Sequence, residues 1–175
     1  MHTPTLVLAQ SASKIVGWCL AKTLQANGAL AALKMALKDL KGNQTDLTSY
    51  FVQSTSIHHS DRGAQYCCGI YISKLVRRKI QISMTQNGNP RENAIAERIN
   101  GILKTEWIYG KKPCSWKETV AFVGKIIDLY NNQRPHSSIS YMTPAQVHQT
   151  GAKTERKWKN YYSKKKASND SNDVE

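Results

Sequence analysis

The chain reads KIVGWCLA at residues 14–21 and, after a short gap, NGALAALKMALKDL at residues 27–40. The first stretch is rich in β-branched and aromatic residues and predicts a strand. The second places leucines and a methionine near helical spacing with alanines between them, so a helix ending near Gly42 is expected. A strand followed by an amphipathic helix is the repeating unit of α/β proteins.

The rest of the chain continues this alternation. Further strands are predicted at 5–9, 51–59 and 80–84, and further helices at 67–78, 93–108, 116–131 and 144–148. In the helix at 67–78 we expect one buried side, formed by Ile70, Tyr71, Leu75 and Val76. Thr143-Pro144 predicts a helix N-cap followed by proline. These elements predict one α/β domain over residues 1–151, in which helices cover the faces of a sheet.

The charge of the chain is strongly positive. Its 175 residues hold 25 Lys and Arg against 12 Asp and Glu, a formal net charge of +13. Such a bias predicts a polyanionic partner, nucleic acid first. Residues 152–175 form a basic and then acidic tail, predicted to be disordered, that serves either as a solubilising tail or as an arm that binds phosphates. The basic helix end formed by Lys74, Arg77, Arg78 and Lys79 either complements the helix dipole or contacts DNA.

Other classes of protein fit the composition poorly. No apolar stretch approaches the roughly 18 residues of a membrane span, so no membrane partner is expected. The cysteines lack the spacing of disulfide or zinc sites, and Cys19, Cys67 and Cys68 are predicted to be buried thiols. An intracellular, cytoplasmic protein follows from this pattern.

Two acids stand out once they are placed on the predicted elements. Asp61 follows a strand, where α/β proteins tend to build their sites. Glu97 lies on a helix face shared with Gly101 and Lys104, away from the apolar stripe of Ile95, Ile99 and Ile102. Two carboxylates can hold divalent metal ions that activate an attacking oxygen and stabilise a leaving one. The plainer alternative makes Asp61 a turn residue and Glu97 a solvated helical residue.

Ordered motifs between residues 11 and 148 resemble one family. They are SKIVGW at 13–18, HSDRGAQY at 59–66, the segment from Ser83 to Glu97, LKTE at 103–106, and YNNQRPH at 130–136 with Thr143-Pro144 after it. Thirty-five residues lie between Asp61 and Glu97. In identity and spacing these motifs resemble the insertion-sequence transposases that have a retroviral-integrase-like catalytic core.

The resemblance implies an α/β fold of the ribonuclease H type, with a mixed sheet flanked by helices. It also implies DDE-type DNA strand transfer with Mg²⁺ or Mn²⁺ in a two-metal site. The implied partners are the element ends and target DNA. The resemblance further implies homo-oligomers and association with the nucleoid. Asp61 and Glu97 match the family's second and third acids, as catalytic residues and metal ligands. The expected DNA contacts are Lys104, Arg62, Arg134 and His136, although a structural hydrogen bond is an open alternative for His136.

One departure from the family bears on activity. The family's first acid lies on its first strand, ahead of the segment matched by residues 13–18, and residues 1–12 contain no acid. We therefore expect a core shortened at its N-terminus that lacks the first strand, with weakened metal binding and little catalysis, because such acids act as a unit. The alternatives are a non-catalytic DNA-binding or dimerising remnant of a transposase and a chain that barely folds.

Overall fold

The described part of the chain holds four strands and six α-helices, with a π-helical segment at Leu103–Ile108 and a short 3-10 helix at Ser137–Ile139. The computed structural model describes residues 4–9, 12–23, 25–42, 57–85, 94–110 and 115–151. The strands are β1 Thr5–Ala9, β2 Lys14–Cys19, β3 Ile57–Ser60 and β4 Gln81–Met84. The helices are α1 Ala26–Gly42, α2 Ala64–Cys67, α3 Gly69–Val76, α4 Ala94–Ile102, α5 Trp116–Asn132 and α6 Pro144–Thr150. The predicted strand residues 51–56, most of the loop at 85–91 and the tail at 152–175 lie outside the described residues.

The strands pair in two separate sheets. β1 and β2 are antiparallel, with Thr5 opposite Cys19 and an irregularity between Val7 and Leu8. β3 and β4 are parallel, with Ile57 opposite Gln81. The mixture of parallel and antiparallel pairing agrees with the prediction, but the described strands form two two-stranded sheets rather than one, because no ladder joins either strand of the first pair to either strand of the second.

Helix α1 packs against the first sheet at very close range. A Cβ atom added at Gly17 would lie 2.8 Å from the backbone nitrogen of Ala36, so only glycine fits in β2 at this point. Ala32 and Ala36, the residues of α1 that face Gly17, are small and buried. Leu30 and Leu33 of α1 also join a core cluster with residues that follow β3. Thus α1 contacts both the first sheet and the cluster that contains Tyr71 and Leu75. Its alanines allow the close distance between α1 and β2.

The larger core cluster lies between β2, α4 and α5. The predicted apolar stripe of α5 is buried as expected, with members Val123, Ile126, Ile127 and Tyr130. Ile99 of α4 and Leu103, which follows it, pack into the same cluster. Ile95 does not belong to the buried stripe, because it lies in the first turn of α4 with 40% of its surface exposed.

The helix predicted at 67–78 is interrupted. Cys68 has extended backbone angles, so α2 ends before it and α3 begins after it. Within α3 the buried residues are Tyr71 and Leu75, four positions apart, whereas Ile70 and Val76 are 65% and 61% exposed, contrary to prediction. Cys67 is exposed rather than a buried thiol, because it lies at the end of α2 beside this break.

The predicted start of the last helix is confirmed. The Thr143 hydroxyl accepts a hydrogen bond from the Gln146 backbone N–H, the Gln146 side chain accepts one from the Thr143 N–H, and Pro144 occupies the first turn. Reciprocal bonds of this kind satisfy two backbone donors that a helix start leaves open. Among the described helices none is both long and apolar enough to cross a membrane.

Candidate functional site

Asp61 lies directly after β3, at the edge where the parallel pair β3–β4 ends. Its Oδ1 accepts a hydrogen bond from the Gly63 backbone N–H at 2.9 Å, and the residue is exposed. This turn leaves Oδ2 free of hydrogen bonds to the described residues. Burial, with a smaller contribution from the Asp61 charge, raises the pKa of nearby Tyr66. The carboxylate is therefore presented to solvent by a short hydrogen-bonded turn.

Arg62 joins the ends of the two strands. Its Nε donates to the carbonyl of Thr85 at 2.8 Å, and the Thr85 N–H donates to the carbonyl of Ser60 at 3.1 Å. Thr85 is 3% exposed, which makes it a fixed anchor for the Arg62 side chain. Arg62 is itself exposed and lies beside Asp61 in the chain.

Glu97 and Lys104 lie on and just after α4. Glu97 is exposed in the first turn of the helix, where a carboxylate also complements the helix dipole. Ile99 and Leu103 are buried, so Glu97 lies off the core-facing side, as predicted. No atom lies within 4 Å of the position that a Cβ of Gly101 would take, so the surface there is open.

Lys104 belongs to a π-helical segment, Leu103–Ile108. The Tyr109 N–H donates to the Lys104 carbonyl at 2.8 Å, five residues back, which widens the turn. Such segments are rare and occur disproportionately at functional sites. Lys104 itself is half-buried.

The chemistry of the two carboxylates fits a hard divalent cation. Asp61 and Glu97 are exposed side chains with oxygen donors, the ligand type that Mg²⁺ prefers while it keeps several waters. No group of three or more His, Cys, Asp or Glu residues that could hold a metal occurs within the described ranges. A shared ion between Asp61 and Glu97 therefore stays a prediction.

Arg134 is engaged by a partner that the sequence analysis did not identify. Its Nε donates to Oε2 of Glu106 at 2.8 Å, and its Nη2 donates to Oε1, which forms a two-bonded ion pair between α5's end and the π-helical segment. The hydrogen bonds from Arg134 lower the pKa of Glu106. Glu106 and Arg134 belong to two separate sequence motifs, and only the fold brings them together.

His136 is buried beside this ion pair. It is 7% exposed, its Nδ1 lies 3.1 Å from Nη1 of Arg134, and its ring packs edge-to-face on Tyr130 at 4.8 Å. Burial, aided by the charges of Arg134 and Arg98, lowers the pKa of His136 to about 4. The residue is thus neutral at pH 7 and hydrogen-bonds inside the fold, while DNA contacts by Arg134 and His136 stay predictions.

Asn131 is a second residue whose role the sequence analysis did not identify. It is buried in α5, and its side chain binds the backbone of Ile15 in β2. The motif at 130–136 contains it, but nothing in the local pattern indicates a contact with the start of the chain.

The chain is similar in sequence to an integrase core domain and to transposases. Residues 78–144 match the integrase core domain family. The chain is 31% identical over 139 residues to the transposase for insertion sequence element IS629 of Shigella sonnei. It is also 31% identical over 138 residues to a putative transposase for IS986/IS6110 of Mycobacterium tuberculosis. The chain is thus similar to an integrase core domain over residues 78–144 and to insertion-sequence transposases over most of its length.

The fold of this chain is shared with a solved structure. The catalytic core domain of BIV integrase aligns with a TM-score of 0.58 and 15% identity, covering 85% of this chain and 86% of that one. At that identity the match concerns the fold alone, and it confirms the predicted ribonuclease H-like α/β class. Each of the two transposases aligns over 78% of this chain, but the chain spans only 42% and 48% of their lengths.

Proposed function

We propose that this chain is a DNA strand-transfer core in which Asp61 and Glu97 hold Mg²⁺ or Mn²⁺. The observation that carries the proposal is the presentation of Asp61: its carboxylate is exposed at the edge where β3 and β4 end together, on a turn tied to β4 through Arg62 and Thr85. The similarity of the chain to insertion-sequence transposases supports the choice of DNA as substrate.

In this proposal two acidic residues bind the metal ion and two basic residues bind phosphate. Asp61 and Glu97 would hold the ion, which when bound supplies positive charge to the attacking and leaving oxygens of a phosphodiester. Arg62 and Lys104 would bind non-bridging phosphate oxygens, because charge-assisted hydrogen bonds to phosphate are the strong ones. Arg62 starts from a fixed position, since the Thr85 carbonyl already orients its guanidinium.

We expect the activity of the chain by itself to be low. Two carboxylates give a weaker metal site than three, and residues that act as a catalytic unit lose most of their effect together. The proposal therefore predicts metal binding that depends on both acids and a small yield of strand-transfer product, rather than efficient turnover.

A strand-transfer assay with labelled duplex ends and Mn²⁺ tests this proposal. Asp61→Asn and Glu97→Gln should each abolish whatever product the unchanged chain forms, whereas Asp128→Asn should not, because Asp128 is an exposed acid on α5 that hydrogen-bonds Asn132. Mn²⁺ binding, followed by electron paramagnetic resonance, should weaken in the first two variants only. Equal Mn²⁺ binding in all four proteins would contradict the proposal.

A second candidate is a non-catalytic DNA-binding or dimerising module. The net charge of +13 favours it, because counterion release gives sequence-tolerant binding without any metal. It predicts no strand-transfer product, and salt-sensitive duplex binding that survives Asp61→Asn together with Glu97→Gln. A marked rise in affinity in that double variant would instead place both acids against the phosphates, in favour of the first candidate.

Assembly and location follow from the same proposal. A simian T-cell lymphotropic virus intasome aligns with a TM-score of 0.55 over 75% of this chain, and its structure was determined in a complex with a PP2A regulatory subunit. We infer that this chain forms homo-oligomers on DNA and associates with the nucleoid. Light scattering with and without duplex DNA measures the first inference; a monomer under both conditions would contradict it.

A further inference from the structure

Five basic side chains from two helices surround one open-sided cavity of about 420 Å³. Its lining residues are Lys34, Leu37, Lys38, Lys74, Arg77 and Arg78. The spacing is the same on both helices: 34, 37 and 38 on α1, and 74, 77 and 78 at the end of α3. Residues three and four apart share a helix face, so Lys34, Leu37 and Lys38 lie together on α1. Lys74 lies in the last turn of α3, and Arg77 and Arg78 follow in the turn that ends it.

The positive charge of the cavity is not neutralised within the described structure. No acid is among its lining residues, and none of the five basic side chains forms an ion pair or hydrogen bond there. Four of the five residues are exposed, and Lys74 is half-buried. Like charges carried by neighbouring exposed residues raise the local potential and attract anions.

The dipole of α3 does not account for this grouping of basic residues. Cations near the end of α3 complement its dipole, but Lys34 lies two turns before the end of α1, on a different helix. The end of α3 is also already satisfied, since the Ile80 N–H donates to the Leu75 carbonyl and the Lys79 N–H to the Val76 carbonyl. That hydrogen-bonded end closes the helix and leaves the Arg77 and Arg78 side chains available.

The cavity and Asp61 lie at opposite ends of the β3–β4 sheet. Ile57 pairs with Gln81 and Ser60 with Met84, so both strands run in the same direction. Arg77 and Arg78 precede the start of β4, whereas Asp61 and Arg62 follow the end of β3. The four-residue strands separate the two places by about 10 Å of backbone rise.

We propose that this cavity binds the phosphate backbone of a duplex DNA segment other than the one at Asp61. The lining has no aromatic ring on which a base could stack, and its arginine forks match phosphate oxygens in geometry. Leu37 forms an apolar base for the aliphatic stems of the lysines. The contact is therefore sequence-tolerant and sensitive to salt. In taking DNA as the ligand, the inference rests on the proposed function.

Binding of a labelled random-sequence duplex, followed by fluorescence anisotropy across salt concentrations, tests the cavity. Lys38→Gln with Arg78→Gln removes one charge from each helix, and Lys117→Gln with Lys125→Gln removes two exposed charges from α5 as a matched control. The cavity variant should bind roughly tenfold more weakly at 0.1 M salt, and the slope of log K against log salt should fall by about two. Equal losses in the two variants would overturn the proposal.

A measurement on the unchanged chain removes any dependence on how the variants fold. Lysine acetylation, followed by mass spectrometry, should slow several-fold at Lys34, Lys38 and Lys74 when duplex DNA is added, relative to Lys117 and Lys125. Uniform rates would overturn the proposal. Protection by tripolyphosphate without protection by DNA would also overturn it, and would assign the cavity to a small polyphosphate.

The two proposals fail in different ways. Asp61→Asn with Glu97→Gln removes the candidate metal ligands and leaves the cavity intact, so the protection of Lys34, Lys38 and Lys74 should persist in that variant. Loss of Mn²⁺-dependent product with retained protection supports both proposals. Loss of protection in the variant would mean that DNA reaches these lysines only through the Asp61 edge, which would overturn the second site.

Discussion

The side chain of Asn131 binds both backbone polar groups of Ile15, a residue 116 positions away. Its Oδ1 accepts from the Ile15 N–H at 2.9 Å and its Nδ2 donates to the Ile15 carbonyl at 2.9 Å. The amide thus acts as a neighbouring strand would, and satisfies the edge of β2 that β1 does not cover. Nearby, the Tyr130 hydroxyl donates to the Ser13 carbonyl at 3.2 Å, so α5 is joined to this strand at two points.

Asn131→Ala should lower the free energy of unfolding by about 2–4 kcal/mol. The change leaves a buried backbone donor and a buried acceptor without partners, and each such group costs roughly 1–3 kcal/mol. The control is Asn132→Ala at the adjacent exposed residue, which should change stability by about 0.5 kcal/mol or less. Urea unfolding followed by circular dichroism measures both, and similar losses would contradict the role given to Asn131.

Gly17→Ala should destabilise the packing of α1 on β2 by about 3 kcal/mol. The added Cβ would lie 2.8 Å from the Ala36 nitrogen, and backbone atoms of a packed helix cannot move aside as a side-chain tip can. Gly69→Ala serves as the comparison, since no atom lies within 4 Å of its Cβ position. The melting temperature should fall sharply for the first variant and stay level or rise for the second.

Stability should fall as the pH is lowered from about 6.5 towards 4 because of His136. The pKa of His136 is lowered to about 4 in the folded chain, mainly by burial, so in this window the unfolded chain binds a proton that the folded chain does not. The limit for one group is about 1.4 kcal/mol per pH unit. His58, whose pKa burial also lowers, contributes in the same direction.

Unfolding by denaturant between pH 5 and 7 isolates that effect. The pKa of Glu106 is lowered by Arg134, so its contribution is present above its ordinary pKa and is lost only at lower pH. His136→Gln should reduce the slope of stability against pH without abolishing it, because His58 still titrates. An unchanged slope in the His136 variant would refute the assignment.

Lys79→Gly should raise stability by about 0.5–1 kcal/mol. Lys79 has a φ of +56°, the left-handed region where glycine is unstrained and other residues are not. Arg77→Gly is the matched comparison, because Arg77 has right-handed angles and should lose stability by a similar amount. Thermal melts that show the same sign for both variants would contradict this account.

Much of the local structure followed from the sequence. Strand β1 was predicted to the residue, α5 to within one residue, and the cap at Thr143 with Pro144 was correct. Short-range rules decide these features, since apolar spacing, turn residues and capping hydroxyls act within a few positions along the chain. The break at Cys68 escaped prediction because its neighbours on both sides have helical patterns.

The sequence alone determined the alternation of strands and helices, the charge of the chain and the motifs that resemble those of insertion-sequence transposases. The tertiary structure alone decided which helix faces meet. It set the exposure of Ile70 and the pairing of Arg134 with Glu106, and it brought Lys34 and Lys38 together with the end of α3 around one cavity. Such contacts join residues tens of positions apart, and they depend on packing distances, such as the one Gly17 permits, that no local pattern encodes.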